Sequence, residues 1–146
     1  GARVGYMIKM KPTMETLDLV IVEAEWGEGK RGAWLSSYTV ACRDEKKDSL
    51  LVVGKASTGL KEKSEEGLSF DDLTKELKPL ITSTKGKTSK VKPKIVIEVK
   101  FEEIQKSPAY SSGYALRFPR VVRMRPDRDA SSCSTVKDLK RLYDGQ

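Results

Sequence analysis

Cations are the residues of this sequence whose types and spacing could do chemistry. From Arg117 to Arg128 the chain reads RFPRVVRMRPDR, five arginines and one aspartate. The arginines alternate with Phe118, Val121, Val122 and Met124, as on a strand or strand edge. Guanidinium groups crowded onto one strand repel each other unless anions lie among them, and their planar fork of N–H donors suits phosphate oxygens. The bland reading is a cluster neutralised by Glu98, Glu102 and Glu103; the chemical one is a polyphosphate or nucleic-acid site. A second run, KGKTSKVKPK from Lys85 to Lys94, holds five lysines and no acid and reads as a loop that tracks phosphates loosely. A third, Met7-Ile8-Lys9-Met10-Lys11, puts Lys9 and Lys11 on one side of a strand, where two co-directed ammonium groups suit a phosphate.

Other chemistries are excluded by type. The chain has no histidine, which removes imidazole bases, His-containing triads and His-ligated zinc. Cys42 and Cys133 form no CxxC pair and are expected to be one buried and one incidental thiol in an intracellular protein. Gly27-Glu28-Gly29-Lys30-Arg31-Gly32 matches GxGxxG, but a strand rather than a helix follows it, so it reads as a hairpin turn. Gly86-Lys87-Thr88 resembles the end of a phosphate-binding loop whose first glycine would fall at Ile81.

The cations must be positioned by a small fold. At 146 residues, with 38% hydrophobic and 34% charged side chains, the composition is that of one globular domain. Lysine and arginine number 28 against 21 acids, a net +7, and such a surface attracts polyanions. No apolar run approaches the ~18 residues of a membrane helix, and the N-terminus lacks the apolar stretch of a signal peptide. The absence of asparagine, with two glutamines, hints at a thermophilic source.

The dominant period is two. Leu17 to Trp26, Ala33 to Arg43, Ser49 to Lys55, Ile95 to Phe101 and Tyr114 to Met124 read as five strands. Phe70, Leu73, Leu77 and Leu80 recur at helical steps, with Ser69 as N-cap and Pro79 near the end. Val136, Leu139 and Leu142 mark a short C-terminal amphipathic helix. The fold class expected is therefore all-β with short helices: a five-stranded OB-fold barrel with its helix between strands 3 and 4.

Three stretches, KPTMETLDLVIVEAEWGEGKRG, PKIVIEVKFEEIQKSPAYSSGYALRFPRVVRMRPDR and STVKDLKRLYDGQ, resemble the C-terminal OB-fold domain of archaeal-type ATP-dependent DNA ligases. The EIQKSP and ALRFPR segments carry the resemblance most specifically. It implies residues 1–11 as the end of an adenylation domain and 12–146 as the OB-fold domain. It implies an enzyme that seals nicks in duplex DNA through lysyl-AMP and DNA-adenylate intermediates, with ATP and Mg2+, in replication, repair and recombination. Lys9 and Lys11 match the KxK of nucleotidyltransferase motif V, which contacts the reacting α-phosphate. Arg125, Asp127 and Arg128 match motif VI, which orients the pyrophosphate leaving group; arginine stands at 128 where lysine is common. Arg117 and Phe118 match residues that approach the duplex beside the nick, and Arg120 and Arg123 extend that DNA-binding strand. The implied partners are nicked duplex DNA, upstream adenylation and DNA-binding domains, and a sliding clamp, for which the chain shows no docking peptide. The implied location is intracellular, cytoplasmic in an archaeon. The chain has no KxDG, the family's nucleophilic lysine motif, so it is expected to be inactive alone. A free-standing module for single-stranded nucleic acid is the alternative; it needs a row of exposed aromatics, and aromatics are 7% of this chain.

Overall fold

The structure, a computed structural model, describes residues 16–27, 34–47, 49–56 and 70–146. Lys9, Lys11, Ser69 and most of the glycine-rich turn after Gly27 lie outside them.

Strands β1 (Thr16–Trp26), β2 (Leu35–Asp44) and β3 (Ser49–Ala56) form an antiparallel meander. Helix α1 (Phe70–Leu77) follows and ends in a 3-10 turn, Lys78–Leu80, whose Pro79 has no N–H to continue the helix. After it come β4 (Ile81–Lys85), β5 (Thr88–Val91), β6 (Val96–Lys100), β7 (Glu103–Lys106), β8 (Tyr114–Arg117), β9 (Arg120–Met124) and α2 (Val136–Asp144). The main sheet runs β9-β6-β1-β2-β3, with the β4–β5 hairpin added to β1. Strands β7 and β8 pair separately, and β8 comes up against β3 at Gly54, where a Cβ would lie 3.9 Å from the Leu116 nitrogen. The all-β barrel with short helices is as the sequence predicts.

Three details differ from the sequence expectation. The lysine run is not a loop: Lys85 ends β4, Gly86 turns at φ 63°, and Lys90 lies on β5. A glycine takes that positive φ without steric cost. Glu103–Lys106 is a strand, with Ile104 opposite Leu116. The expected strand from Tyr114 to Met124 breaks at Phe118–Pro119, because Pro119 cannot donate to a ladder and Phe118 adopts φ 52°.

The barrel interior is filled by the alternate residues of each strand. Leu17, Leu19 and Ile21 of β1, Ile97 and Val99 of β6, and Val121 of β9 face it, with Tyr38 and Val40 of β2. Leu73 and Leu77 of α1 and Leu139 of α2 plug the remaining openings. The Thr74 hydroxyl accepts from the Leu35 N–H at 2.9 Å, so α1 docks by a buried hydrogen bond as well as by apolar contact.

A second, smaller cluster sits on the outer face of the same strands. Val20, Ala41 and Val96 point outward there, beneath Cys133 and Ala130. The segment after β9 thus returns across the barrel's outside. Ser134 fastens it: its N–H donates to the Asp18 carbonyl at 2.7 Å, its hydroxyl accepts from the Asp18 N–H at 3.0 Å, and its carbonyl accepts from the Arg43 N–H at 2.9 Å. Both cysteines are buried and free, which corrects the expectation of one incidental thiol; burial raises the Cys42 thiol to about 12.

Helix α2 starts immediately after this strap. Thr135 caps it, its hydroxyl accepting from the Asp138 N–H at 3.2 Å while the Asp138 carboxylate accepts from the Thr135 N–H at 2.9 Å. Tyr143 packs at 5.5 Å from Tyr114, and the Gln146 side chain pairs with both backbone groups of Ile104. Thr135→Ala removes the hydroxyl half of this capping box and is expected to cost about 1 kcal/mol of folding stability, read as a lower midpoint in urea unfolding.

Candidate nucleic-acid and phosphate interface

The register of three strands decides where the cations go. On the outer face of β9, β6 and β1, Lys100 stands opposite both Arg120 and Thr16, and Glu98 stands opposite both Arg123 and Asp18. Each of these rows runs across the sheet perpendicular to the strands. Arg120 and Arg123 are not two residues apart, yet they share a face because the pairing shifts register at Val122. The bulge exposes Val122, 41% accessible, and re-aims the following arginine.

The acidic row is compensated from within. The Glu98 carboxylate accepts from Arg123 Nε at 2.6 Å, and that bond holds its carboxyl below the usual value. Asp18 takes two arginines from the segment after β9: Arg125 Nη1 at 3.4 Å and Arg128 Nε at 3.0 Å. Asp18 is itself fixed by its backbone bonds to Ser134, so one half-buried carboxylate sets two guanidinium groups side by side. Arg125 also reaches Asp127 at 3.5 Å, a bond that keeps the Asp127 carboxyl low. The Arg125 N–H donates to the Val96 carbonyl at 2.8 Å, and the Arg128 N–H to the Arg125 carbonyl at 3.0 Å. The turn after them is closed by Asp129, whose carboxylate accepts from the Ser131 N–H and hydroxyl at 3.0 and 2.6 Å.

Arg125 and Arg128 line a cleft of about 190 Å3 together with Lys94 and Glu76, over Val96 and Met124. The lysine run and the arginine run therefore meet at one cleft. Lys94 lacked any signal in the sequence that paired it with Arg125, because the meeting depends on β6 lying beside β9.

At the other end of β9 the backbone turns sharply. Phe118 holds a left-handed φ, which costs a non-glycine residue roughly 1–2 kcal/mol. It is 59% exposed, so no burial of its ring repays that cost. The Arg117 guanidinium stands 5.2 Å from the ring centre and bonds Glu103 Oε1 at 2.8 Å. The ring is thus at once strained, exposed and beside a cation.

The structure thus gathers Arg120, Arg123, Arg125 and Arg128 around a single flank and places Arg117 and Phe118 at its end. Asp127 is on the rim. Of the acids Glu98, Glu102 and Glu103 that the sequence offers for neutralisation, Glu98 pairs with Arg123 and Glu103 with Arg117, while Arg125 and Arg128 pair with Asp18 instead. Asp18 and Lys100, missed by the sequence reading, are the residues that organise the flank. Among the described residues no group of three or more His, Cys, Asp or Glu is placed to hold a metal ion. No helix among them is long and apolar enough to cross a membrane.

The family model for the ATP dependent DNA ligase C terminal region matches residues 31–128. A DNA ligase of Nanoarchaeum equitans is 57% identical over the whole chain, and one of Archaeoglobus fulgidus is 50% identical over 98% of it. The chain spans about a quarter of the length of these relatives, 26% and 25%. Among solved structures, the ligase domain of M. tuberculosis LigD superposes with a TM-score of 0.64 at 25% identity, covering 82% of this chain and 38% of that one. A mycobacterial DNA ligase D complexed with ATP and MES superposes with a TM-score of 0.61 at 22% identity, which speaks for the fold. With an OB-fold barrel, its arginine-bearing strand inside the matched region and archaeal DNA ligases aligned along its whole length, the chain belongs to the family of ATP-dependent DNA ligase C-terminal regions.

Proposed function

We propose that this domain works within an ATP-dependent DNA ligase that seals nicks in duplex DNA through lysyl-AMP and DNA-adenylate intermediates, with two tasks on one flank. Arg117, Phe118, Arg120 and Arg123 engage the duplex beside the nick. Arg125, Asp127 and Arg128 serve the adenylation step. The observation that carries the first task is the strained, exposed Phe118 between two arginines. A rigid aromatic wedge beside a guanidinium suits a widened minor groove, where an apolar ring inserts and the cation takes phosphate.

In the second task the chain's own contribution is electrostatic. Guanidinium groups held in place before the reaction stabilise charge that develops on a departing pyrophosphate without reorganising. Asp18 supplies the holding. ATP is the substrate of this step, and the lysine that attacks it belongs to the adenylation domain, because the chain has no KxDG. Residues 1–11, with Lys9 and Lys11, are assigned to the end of that domain and to the α-phosphate. Mg2+, when bound, neutralises phosphate charge. The partners proposed are nicked duplex DNA, the upstream domains and a sliding clamp, and the setting is DNA replication, repair and recombination inside an archaeal cell adapted to heat.

Competition between nicked duplex and single strand for this chain, at several salt concentrations, tests the reading. Nicked duplex is expected to win at every salt, with affinity falling as salt rises because phosphate contacts release counterions. Preference for the single strand would overturn it in favour of a single-strand module. That module stacks bases along a row of aromatics, whereas among the described residues the exposed large hydrophobics are Phe118 and Val122.

A further inference from the structure

We infer that Arg120 and Lys100 form a phosphate clamp, a two-cation site on the outer face of β9 and β6 that takes one phosphodiester group of the DNA backbone. The starting point is the register. Arg120 and Lys100 are direct cross-strand partners, and their neighbours Val121 and Val99 both face the core, so both cations stand on the outer face. Like charges directly opposite on a sheet are unfavourable.

The adjacent row shows how this chain treats such a pair when it is structural. Glu98 and Asp18 are also like charges directly opposite, and three arginines answer them: Arg123 on Glu98, and Arg125 and Arg128 on Asp18. Among the described residues the cationic row receives no such answer. Among the described residues neither Arg120 nor Lys100 makes an ion pair, Glu98 being tied to Arg123 and Glu103 to Arg117. Its third member, Thr16, is neutral.

The surroundings fit a phosphodiester. A guanidinium can present two parallel N–H donors to its non-bridging oxygens, and the ammonium adds a compact point charge beside them. Phe118 and Val122, exposed apolar residues two positions before and after Arg120, would lie against sugar. Among the described residues β9 is the end strand of its sheet, with no further strand paired beyond it. That the phosphate comes from DNA rests on the proposed function; the two-cation site itself does not.

The test uses Lys100→Gln and Arg120→Gln in this chain, with Lys100→Arg as the conservative variant. In thermal unfolding at low ionic strength, each Gln variant is expected to melt about 2 °C higher than the parent, because the repulsion is gone. Inorganic phosphate, compared with chloride at matched ionic strength, should raise the parent's midpoint and that of Lys100→Arg, and leave the Gln variants unmoved. In nicked-duplex binding each Gln variant should lower the slope of log affinity against log salt by about 1. Gln variants that melt lower than the parent, or phosphate that stabilises all forms alike, would overturn the clamp. Stabilisation by a glutamate-rich peptide and not by phosphate would overturn it too, and would point to a protein partner. A phosphate effect as expected with an unchanged salt slope would overturn DNA as the source. If Phe118→Ala also left nicked-duplex binding unchanged, the proposed function itself would fall while the clamp stood.

Discussion

Arg125→Ala in the full-length ligase is expected to slow enzyme adenylation by roughly 10²- to 10³-fold, with sealing of pre-adenylated nicks reduced by no more than about threefold. The expectation rests on how little freedom this side chain has. It is 18% exposed, and it is tied to Asp18 on one side and Asp127 on the other. Those bonds use Nη1 and Nε, so donors on Nη2 are left for an oxyanion in the cleft that Arg128 and Lys94 also line. A donor held in place before charge develops contributes its full effect in the transition state. The substitution also leaves the Glu98–Asp18 row with one cation fewer, so some loss of folding stability accompanies it. Arg125→Lys separates the two effects. It keeps a positive charge near Asp18 but loses the planar fork, and should preserve the melting temperature while recovering little of the adenylation rate. Single-turnover measurements of the two steps are the check; equal loss in both would contradict the role assigned to Arg125.

Phe118 offers the second large effect, and its sign differs between two measurements. Phe118→Gly replaces a strained residue with one that takes φ 52° freely, so the domain is expected to gain about 1 kcal/mol of stability. The same change removes the exposed ring, and affinity for nicked duplex should fall by about tenfold or more, the worth of burying one phenylalanine side chain in the groove. Adenylation should be close to that of the parent, because Phe118 lies at the far end of β9 from Arg125. Urea unfolding and nick binding on one variant therefore read out opposite signs. A variant that gained stability and lost no nick affinity would show the ring to be idle, and a collapse of adenylation would place Phe118 in the wrong step.

Much of this architecture is legible in the sequence, and the exceptions share a cause. β1, β2, β3 and β6 announce themselves because their alternate residues fill the barrel. The β4–β5 hairpin does not, because ITSTK and TSKV bury only Ser89 and Val91 and otherwise present Thr, Ser and Lys to solvent. β7 is likewise four residues long with Ile104 alone buried. Pro119 was a visible signal that the last strand must break, since an interior strand seldom tolerates it. The site divides in the same way. The arginine run is local and can be read directly. Asp18 and Lys100 lie on strands distant in sequence, and the shift at Val122 that places Arg123 opposite Glu98 cannot be inferred from composition.

The strap that carries Arg125 and Arg128 has one further consequence. It is bonded to Val96 at its start and pinned between Asp18 and Arg43 at Ser134, and it roofs the small outer core of Val20, Ala41 and Val96. Those two guanidinium groups cannot be delivered to a nucleotide by a loop that flexes by itself. Under the proposed function the barrel and its cations would travel as one piece, so that reaching ATP and reaching DNA would be two orientations of the same body, each taken at the expense of the other.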